Sequence, residues 1–458
     1  MDNLNYRLSI KVVSRSFRPY FWMEGPFYFK GGEKMLDINL IRNDPEKVKA
    51  ALLKKLDEVD FTELLGNDQK RRNILVEVEA LKNQRNTISK QVGVFKAKKM
   101  EVDPELFEEV KNITKKIEDY EKELETIEGE INIYLQALPN IPDDDVLPGG
   151  KENNIVLRTF GEKPDFDFEH KSHIDLCRMH SLIDYERGVK LSGNGFWIYR
   201  GYGALLEWAL INYFIESHIK SGYEFILPPH ILNYEAGFTA GQFPKFKDEV
   251  YKLNARESKD QFMLPTAETA LANIHKDEIL KEDELPKRYF AYTPCYRVEA
   301  GSARASERGM IRGHQFNKVE LFQYTKPEDS DSAHEEMLSM AEGILQGLGL
   351  HYQVSKLAAR DCSALMAKTV DVEIWIPSMN EYKEVSSASN ARDYQARRGM
   401  IRFKRDNSKK TEYVHTLNAS GLATSRLFPA LIEQMQQKDG SILIPEPLRK
   451  WVGVDYLK

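Results

Sequence analysis

The chain has 458 residues, a net charge of −6, 41% hydrophobic and 10% aromatic residues. That length predicts two or three domains, the composition excludes global disorder, and no apolar run approaches the ~20 residues a membrane-crossing helix needs. The slightly acidic total argues against a general DNA or polyanion binder, and three scattered cysteines without CxxC spacing (Cys177, Cys295, Cys362) argue against a zinc site and for a reducing, cytoplasmic compartment.

The first 34 residues are aromatic and mildly basic, without a period. They lack the apolar core and cleavage site of a secretory leader. The expected reading is a mis-assigned start, with translation from Met35: the codons for "KGGEK" must be purine-rich, as a ribosome-binding site would be. An organelle-targeting segment is the open alternative. Beyond Met35, Asp44-Pro45-Glu46 predicts a helix start, a capping side chain followed by proline in the first turn.

From about Asp68 to Leu138 apolar residues recur at spacings of four and three. The first run is Ile74, Val78, Leu81, Ile88, Val92 and Phe95, with Arg85 at an interrupted core position. After "KKMEVDPEL" the second is Leu106, Val110, Ile113, Ile117, Tyr120, Leu124, Ile127, Ile131, Tyr134 and Leu138. Two heptad arms around a short Pro-containing break predict an antiparallel helical hairpin, each arm on the order of 45 Å long. The first arm is basic (Arg71, Arg72, Lys82, Arg85 and Lys90 among others) and the second acidic. That asymmetry suits either interhelical pairing or a polyanion lying against the basic arm.

"IPDDDVLPGG" reads as a linker. An α/β globule is expected beyond it. A helix over about 203–221 has an apolar stripe (Leu205, Leu206, Ala209, Leu210, Tyr213, Phe214). The strands are "GYEFILPPHI", "KRYFAYTP", "KVELFQYT", "TVDVEIWIP" and "EYKEVSSAS", and "LATSRLFPALIEQMQQ" is a terminal helix. No crossover helix separates the Pro294 and Lys318 strands, so they should pair antiparallel. Neither a P-loop nor a Rossmann fingerprint is present.

Four clusters carry chemistry. Arg297 can grip phosphate bidentately, with Glu299 two residues on and expected on the same side of a strand. Phe316 offers a flat apolar face for a base. Thr266 and Glu268 lie in "PTAETA". In "EYKEVSSASN", Glu384 and Ser387 suit a hard cation such as Mg²⁺. Arg426 follows "NASGLATS" at the start of a helix, where phosphate is favoured. Surface polar residues alone would explain any one cluster.

Taken in order, the phrases "YTPCYRVEAGSA", "IRGHQFNKVELF", "EYKEVSSASN" and "YVHTLNASGLA" closely resemble seryl-tRNA synthetases, from Met35 to the C-terminus. The resemblance implies an α+β fold: an antiparallel-sheet class II catalytic domain behind an N-terminal two-helix coiled-coil domain. Its expected division is an extension (1–34), a tRNA-binding hairpin domain (35–140), a linker (141–152) and a catalytic domain (153–458). It implies ATP and Mg²⁺ as cofactors, and L-serine, tRNA(Ser) and a second copy of the chain as partners, with tRNA(Sec) left open. In that reading Arg297, Glu299 and Arg426 are catalytic. ATP is held by Arg297, Val298, Glu299, Phe316, Glu384, Val385, Ser386, Ser387 and Arg426. Serine lies among Thr266, Ala267, Glu268, Arg297, Glu320, Asn418 and Ser420. Glu384 and Ser387 bind the metal. Arg71, Arg72, Lys82, Arg85 and Lys90 face the tRNA.

Several positions depart from the family pattern. Ala419 and Ser425 stand where glycine is usual, and Ala267 where serine is usual; on the strand expected here its side chain would face away from Thr266 and Glu268. The arginine of the "GSARASERG" loop has moved to Arg304, which puts the acceptor-end contacts in doubt more than the ATP site. Two rival readings are a serine-adenylating paralogue serving a non-tRNA acceptor, and a catalytically dead RNA-binding or scaffold relative. The intact heptads speak against the first, and the presence of Arg297, Arg426 and Glu384 against the second.

Overall fold

The computed structural model describes residues 36–255, 258–299 and 309–458. The expectations for residues 1–34 and Arg304 fall outside them. The chain divides into two compact units, Met1–Pro139 and Asn140–Lys458.

The first unit holds α1 (Ile38–Asn43), α2 (Pro45–Leu52), α3 (Thr62–Ala97) and α4 (Pro104–Ala137). The Asp44 side chain accepts from the Lys47 amide at 3.0 Å, and Pro45 fills the first turn of α2. Asp103-Pro104 opens α4 by the same device. With 36 and 34 residues, the long helices run about 54 and 51 Å. They are antiparallel: Asn67 meets Glu130, Arg71 meets Glu128, Lys82 meets Glu121 and Gln84 meets Glu109. Ile74, Val78 and Ile88 bury against Ile113, Ile117, Leu124, Ile127 and Ile131. One seam position is corrected. Leu135, not Tyr134, takes the buried place after Ile131, and Tyr134 turns its hydroxyl to the Asp60 carbonyl.

The second unit is built on eight strands: β1 (Ile155–Phe160), β2 (Glu224–Ile226), β3 (Lys287–Tyr296), β4 (Gln315–Thr325), β5 (Tyr352–Lys356), β6 (Lys368–Ile376), β7 (Glu381–Arg392) and β8 (His415–Ala423). Their order across the sheet is β1-β5-β6-β7-β8-β4-β3-β2. Only β2 and β3 run parallel; the Pro294 and Lys318 strands pair antiparallel as expected. Alternation divides the sheet cleanly. Val319, Leu321, Val372, Ala388, Leu417 and Ala419 point to one face. There they form the main core with α5 (Tyr202–Lys220), α6 (Ser330–Gly347) and α7 (Thr424–Gln434). Their neighbours in sequence point to the other face. α7 is not the last helix: α8 (Glu446–Val452) follows it and packs into the same core through Leu448 and Val452.

The stretch read as a linker is fastened to this unit. The Asn140 side-chain amide donates to the Leu365 and Ala391 carbonyls at 2.9 and 2.8 Å. Asp143 pairs with Arg392 at 2.6 Å, and Asp145 with Lys356 and Lys368.

Candidate active site

The polar face of the sheet collects the site from the middle strands. In β4 the even residues Phe316, Lys318 and Glu320 share one side. Glu320 stands opposite Ser420 in β8 and accepts from Asn418 Nδ2 at 3.1 Å. Lys318 Nζ lies 2.5 Å from Glu320 Oε2, both side chains buried. Glu268 is buried at the same pocket and accepts from Gln395 at 2.8 Å. Burial pushes its carboxyl up to about 7, the nearby Glu320 adds to the rise, and Lys318, Gln395 and Arg297 oppose it.

Thr266, Ala267 and Glu268 do not form a strand, as the sequence reading had it; they turn into a short helix, Glu268–Leu271. Thr266 Oγ1 accepts from the Glu268 amide at 3.3 Å. Ala267 faces a core with Leu271, Ala291 and Phe322, so a methyl group suffices where serine is usual.

Arg297, Val298 and Glu299 also lie off the strand, because β3 ends at Tyr296. Period-two alternation therefore does not align Arg297 with Glu299. Glu299 has φ +51° and its carboxylate pairs with Arg312 Nε at 2.6 Å. The Val298 amide donates to the Glu249 carbonyl at 3.0 Å. The Arg297 guanidinium donates to the Pro265 carbonyl at 3.2 Å, 5.2 Å from the centre of the Phe316 ring. Leu264 and Cys295 back that ring.

Across the sheet, Glu384 and Ser387 reach the same face by a β-bulge. On a regular strand residues three apart point to opposite sides. Here Ser386 opposes Val372 while Glu384 opposes Glu373, so Val385 is one residue extra. Val385 joins the helix-side core, and Ser386 donates to the Ser420 carbonyl at 2.6 Å. Glu384 and Ser387 are thereby left together on the polar side. Arg426, in the first turn of α7, donates to the Glu384 carbonyl at 2.8 Å and lies 3.4 Å from its carboxylate. Three strand spacings separate β3 from β7, about 14 Å.

Asp371 stands opposite Ser387. Burial and the Glu384 charge push its carboxyl well above the usual range, and its Oδ1 has no hydrogen-bond partner. An acid-rich corner with an unsatisfied buried oxygen is one that a divalent cation would relieve. Among the described residues no three His, Cys, Asp or Glu side chains form a closed cage.

The known proteins this chain is similar to decide its kinship. Residues 251–435 match the family model "tRNA synthetase class II core domain (G, H, P, S and T)", and residues 35–142 match "Seryl-tRNA synthetase N-terminal domain". Serine--tRNA ligase 2 of Clostridium acetobutylicum is 70% identical over 425 residues, 92% of this chain and 100% of the relative. The chain belongs to the seryl-tRNA synthetase family. As a seryl-tRNA synthetase it is a class II ligase that activates serine and joins it to tRNA(Ser). The crystal structure of seryl-tRNA synthetase from Pyrococcus horikoshii complexed with ATP has a TM-score of 0.86 to it at 35% identity, covering 92% of this chain and 99% of that one. The cytoplasmic enzyme of Naegleria fowleri in complex with AMP gives 0.82 at 28%, covering 93% and 99%.

Sequence reasoning missed three residues of this candidate site: Lys318, Gln395 and Asp371. Lys318 was within reach, since its spacing from Phe316 and Glu320 puts all three on one side. Gln395 and Asp371 had no local signal; strand register brings in Asp371, and the packing of the helix Tyr394–Gly399 brings in Gln395. On the hairpin, Arg71 and Lys82 pair with Glu128 and Glu121 at 3.1 and 2.8 Å, and Arg72 with Asp68 at 3.2 Å. Arg85 and Lys90 make no ion pair among the described residues.

Proposed function

We propose that the polar face described above is where serine and ATP meet. One observation carries this reading: a buried Lys318–Glu320–Asn418 cluster beside Glu268 adjoins the Arg297–Phe316 platform on the same face. Glu268 meets the serine ammonium group. Thr266, Glu320, Asn418 and Ser420 surround the rest of the amino acid, with Ala267 shaping the turn. A hydroxyl-sized polar pocket rejects alanine, because alanine leaves buried polar groups unpaired. Phe316 stacks on adenine, Glu299 and the Val298 backbone border it, and Arg297 holds the α-phosphate. Arg426 grips the γ-phosphate. Glu384 and Ser387 hold Mg²⁺, with Val385 and Ser386 setting the bulge that presents them. That cation supplies charge neutralisation on the phosphates.

The serine carboxylate oxygen attacks the α-phosphorus in line. The new P–O bond forms as the bond to pyrophosphate breaks, and the electron pair leaves with pyrophosphate. A terminal ribose hydroxyl of the tRNA then attacks the carbonyl carbon of the adenylate, and AMP departs. The chain supplies no covalent nucleophile; it positions and neutralises charge. The basic arm of the hairpin lies against tRNA(Ser), with Arg85 and Lys90 the readiest contacts and Arg71, Arg72 and Lys82 available by exchanging carboxylate for phosphate.

The exposed side of α5 is the surface a second copy would cover: Tyr202, Leu205 and Trp208 are 46%, 45% and 54% exposed, while Leu206, Ala209, Leu210 and Phe214 of the same stripe are core. The reaction and the buried free cysteines fit the cytoplasm.

The deciding experiment is serine-dependent ATP–pyrophosphate exchange followed by charging of total tRNA with each amino acid in turn. Serine alone should support both. Exchange without charging would favour a non-tRNA acceptor, and absence of exchange would sink the assignment. Light scattering of the purified protein should give twice the chain mass, and a Trp208→Glu variant half of that.

A further inference from the structure

Glu207 lies on α5, outside every residue assigned above. Its side chain is buried. One oxygen, Oε1, collects two donors: Thr424 Oγ1 at 2.6 Å and Asn317 Nδ2 at 2.7 Å. Thr424 opens α7 two residues ahead of Arg426. Asn317 sits between Phe316 and Lys318 in β4, pointing to the opposite face from both. The two donors are also locked to each other, since Thr424 Oγ1 lies 3.2 Å from the Asn317 carbonyl. Asn317 Oδ1 in turn accepts from the Tyr292 hydroxyl at 3.1 Å. A single carboxylate oxygen thus ties α5, β4 and the first residue of α7 together behind the site.

Its setting is unusual for an acid. Burial pushes the Glu207 carboxyl up to about 7, and the groups that oppose the rise are the neutral Thr424, Asn317 and Tyr199; no lysine or arginine is among them. A buried acid without a cation is costly, and an apolar residue of similar bulk would fill the same space. Such a residue would leave the Asn317 amide and the Thr424 hydroxyl without their acceptor.

We propose that Glu207 is a positioning residue for ATP: by anchoring Thr424 and Asn317 to one oxygen, it fixes the Arg426 guanidinium relative to the Phe316 ring. The inference rests on the ATP roles given above to those two residues.

The test is pyrophosphate exchange with separate KM values for ATP and serine. Glu207→Leu removes the acceptor and keeps the bulk; the KM for ATP should rise about tenfold while the KM for serine moves less than about threefold. Thr424→Val removes one donor and should raise the KM for ATP by about threefold. Glu207→Gln keeps an acceptor at Oε1 and should restore the KM for ATP to within about threefold of the parent. A folded Glu207→Leu variant with the parental KM for ATP overturns the proposal. So does a parallel rise in both KM values, or a Glu207→Gln variant as impaired as Glu207→Leu. If Glu207→Leu does not fold, Thr424→Val decides, and an unchanged KM for ATP there is a refutation. Arg426→Ala, run alongside, reads the underlying assignment separately: normal ATP kinetics in that variant would remove the ATP role itself, whereas a damaged Arg426→Ala with a silent Thr424→Val removes only the role of Glu207.

Discussion

On the hairpin, Lys82 and Glu121 pair at 2.8 Å with side chains 45% and 51% exposed. On the sheet, Lys318 and Glu320 pair at 2.5 Å with 8% and 0% exposed. The chemistry is the same and the surroundings are opposite. The exposed pair is screened and is worth about 0–1 kcal/mol. Removing one partner of the buried pair strands a charge and costs about 3–5 kcal/mol. A surface of weak, exchangeable pairs can trade carboxylates for the phosphates of a long polyanion. A dry pocket with fixed partners can select one small amino acid. In the proposed function the two units use charge for these two purposes.

That contrast can be broken at several points. Arg297→Ala should have the largest effect, about 10³-fold on serine-dependent exchange, because it removes charge aimed at the reacting phosphate; activity near the parental level would end the catalytic assignment. Next, Lys318→Met should lower stability by about 3–5 kcal/mol in a denaturant titration, and adding Glu320→Leu should recover much of the loss. An unaltered midpoint in the single variant would mean the pocket is wetter than its burial implies.

A pH series sharpens the picture further. The Glu268 carboxyl titrates near 7 in the folded protein, so it is largely protonated at pH 6 and ionised at pH 8. The serine ammonium group prefers the ionised form, so the KM for serine should fall about tenfold from pH 6 to pH 8. Glu268→Gln should flatten that profile, and a slope that survives the substitution assigns it elsewhere.

On the hairpin, Arg85→Glu with Lys90→Glu should raise the KM for tRNA by about tenfold and reduce its salt dependence. Exchange, which needs no tRNA, should move less than about twofold. The smallest effect belongs to Lys82→Ala, expected to change stability by no more than about 0.5 kcal/mol.

Local signals were legible in the sequence and long-range register was not. The heptads announced the hairpin, Asp44-Pro45 announced α2, and the direct chain path from Pro294 to Lys318 announced an antiparallel pair. Residue types in short phrases were enough to single out Arg297, Phe316, Glu384 and Arg426. Where a side chain points depends on where a strand stops, and alternation alone cannot give that. Hence Arg297 and Glu299 were placed on a strand that ends at Tyr296, and Thr266–Glu268 on one that is a turn. The ion pairs of Arg71 and Lys82 depend on the phase between two helices, which a one-helix pattern leaves open. Gln395 and Glu207 are brought to their partners by tertiary packing, and nothing near either in the sequence marks it.

The extra residue at Val385 lets two side chains three positions apart in the gene stand shoulder to shoulder in the fold. A gene lacking that single codon would spell a regular strand in which Glu384 and Ser387 are two apart and still share a side. The damage would fall on the oily layer behind, which would lose the Val385 side chain. Ironing out the kink with the codon kept is the opposite case: every letter survives, and Glu384 swings toward the oil.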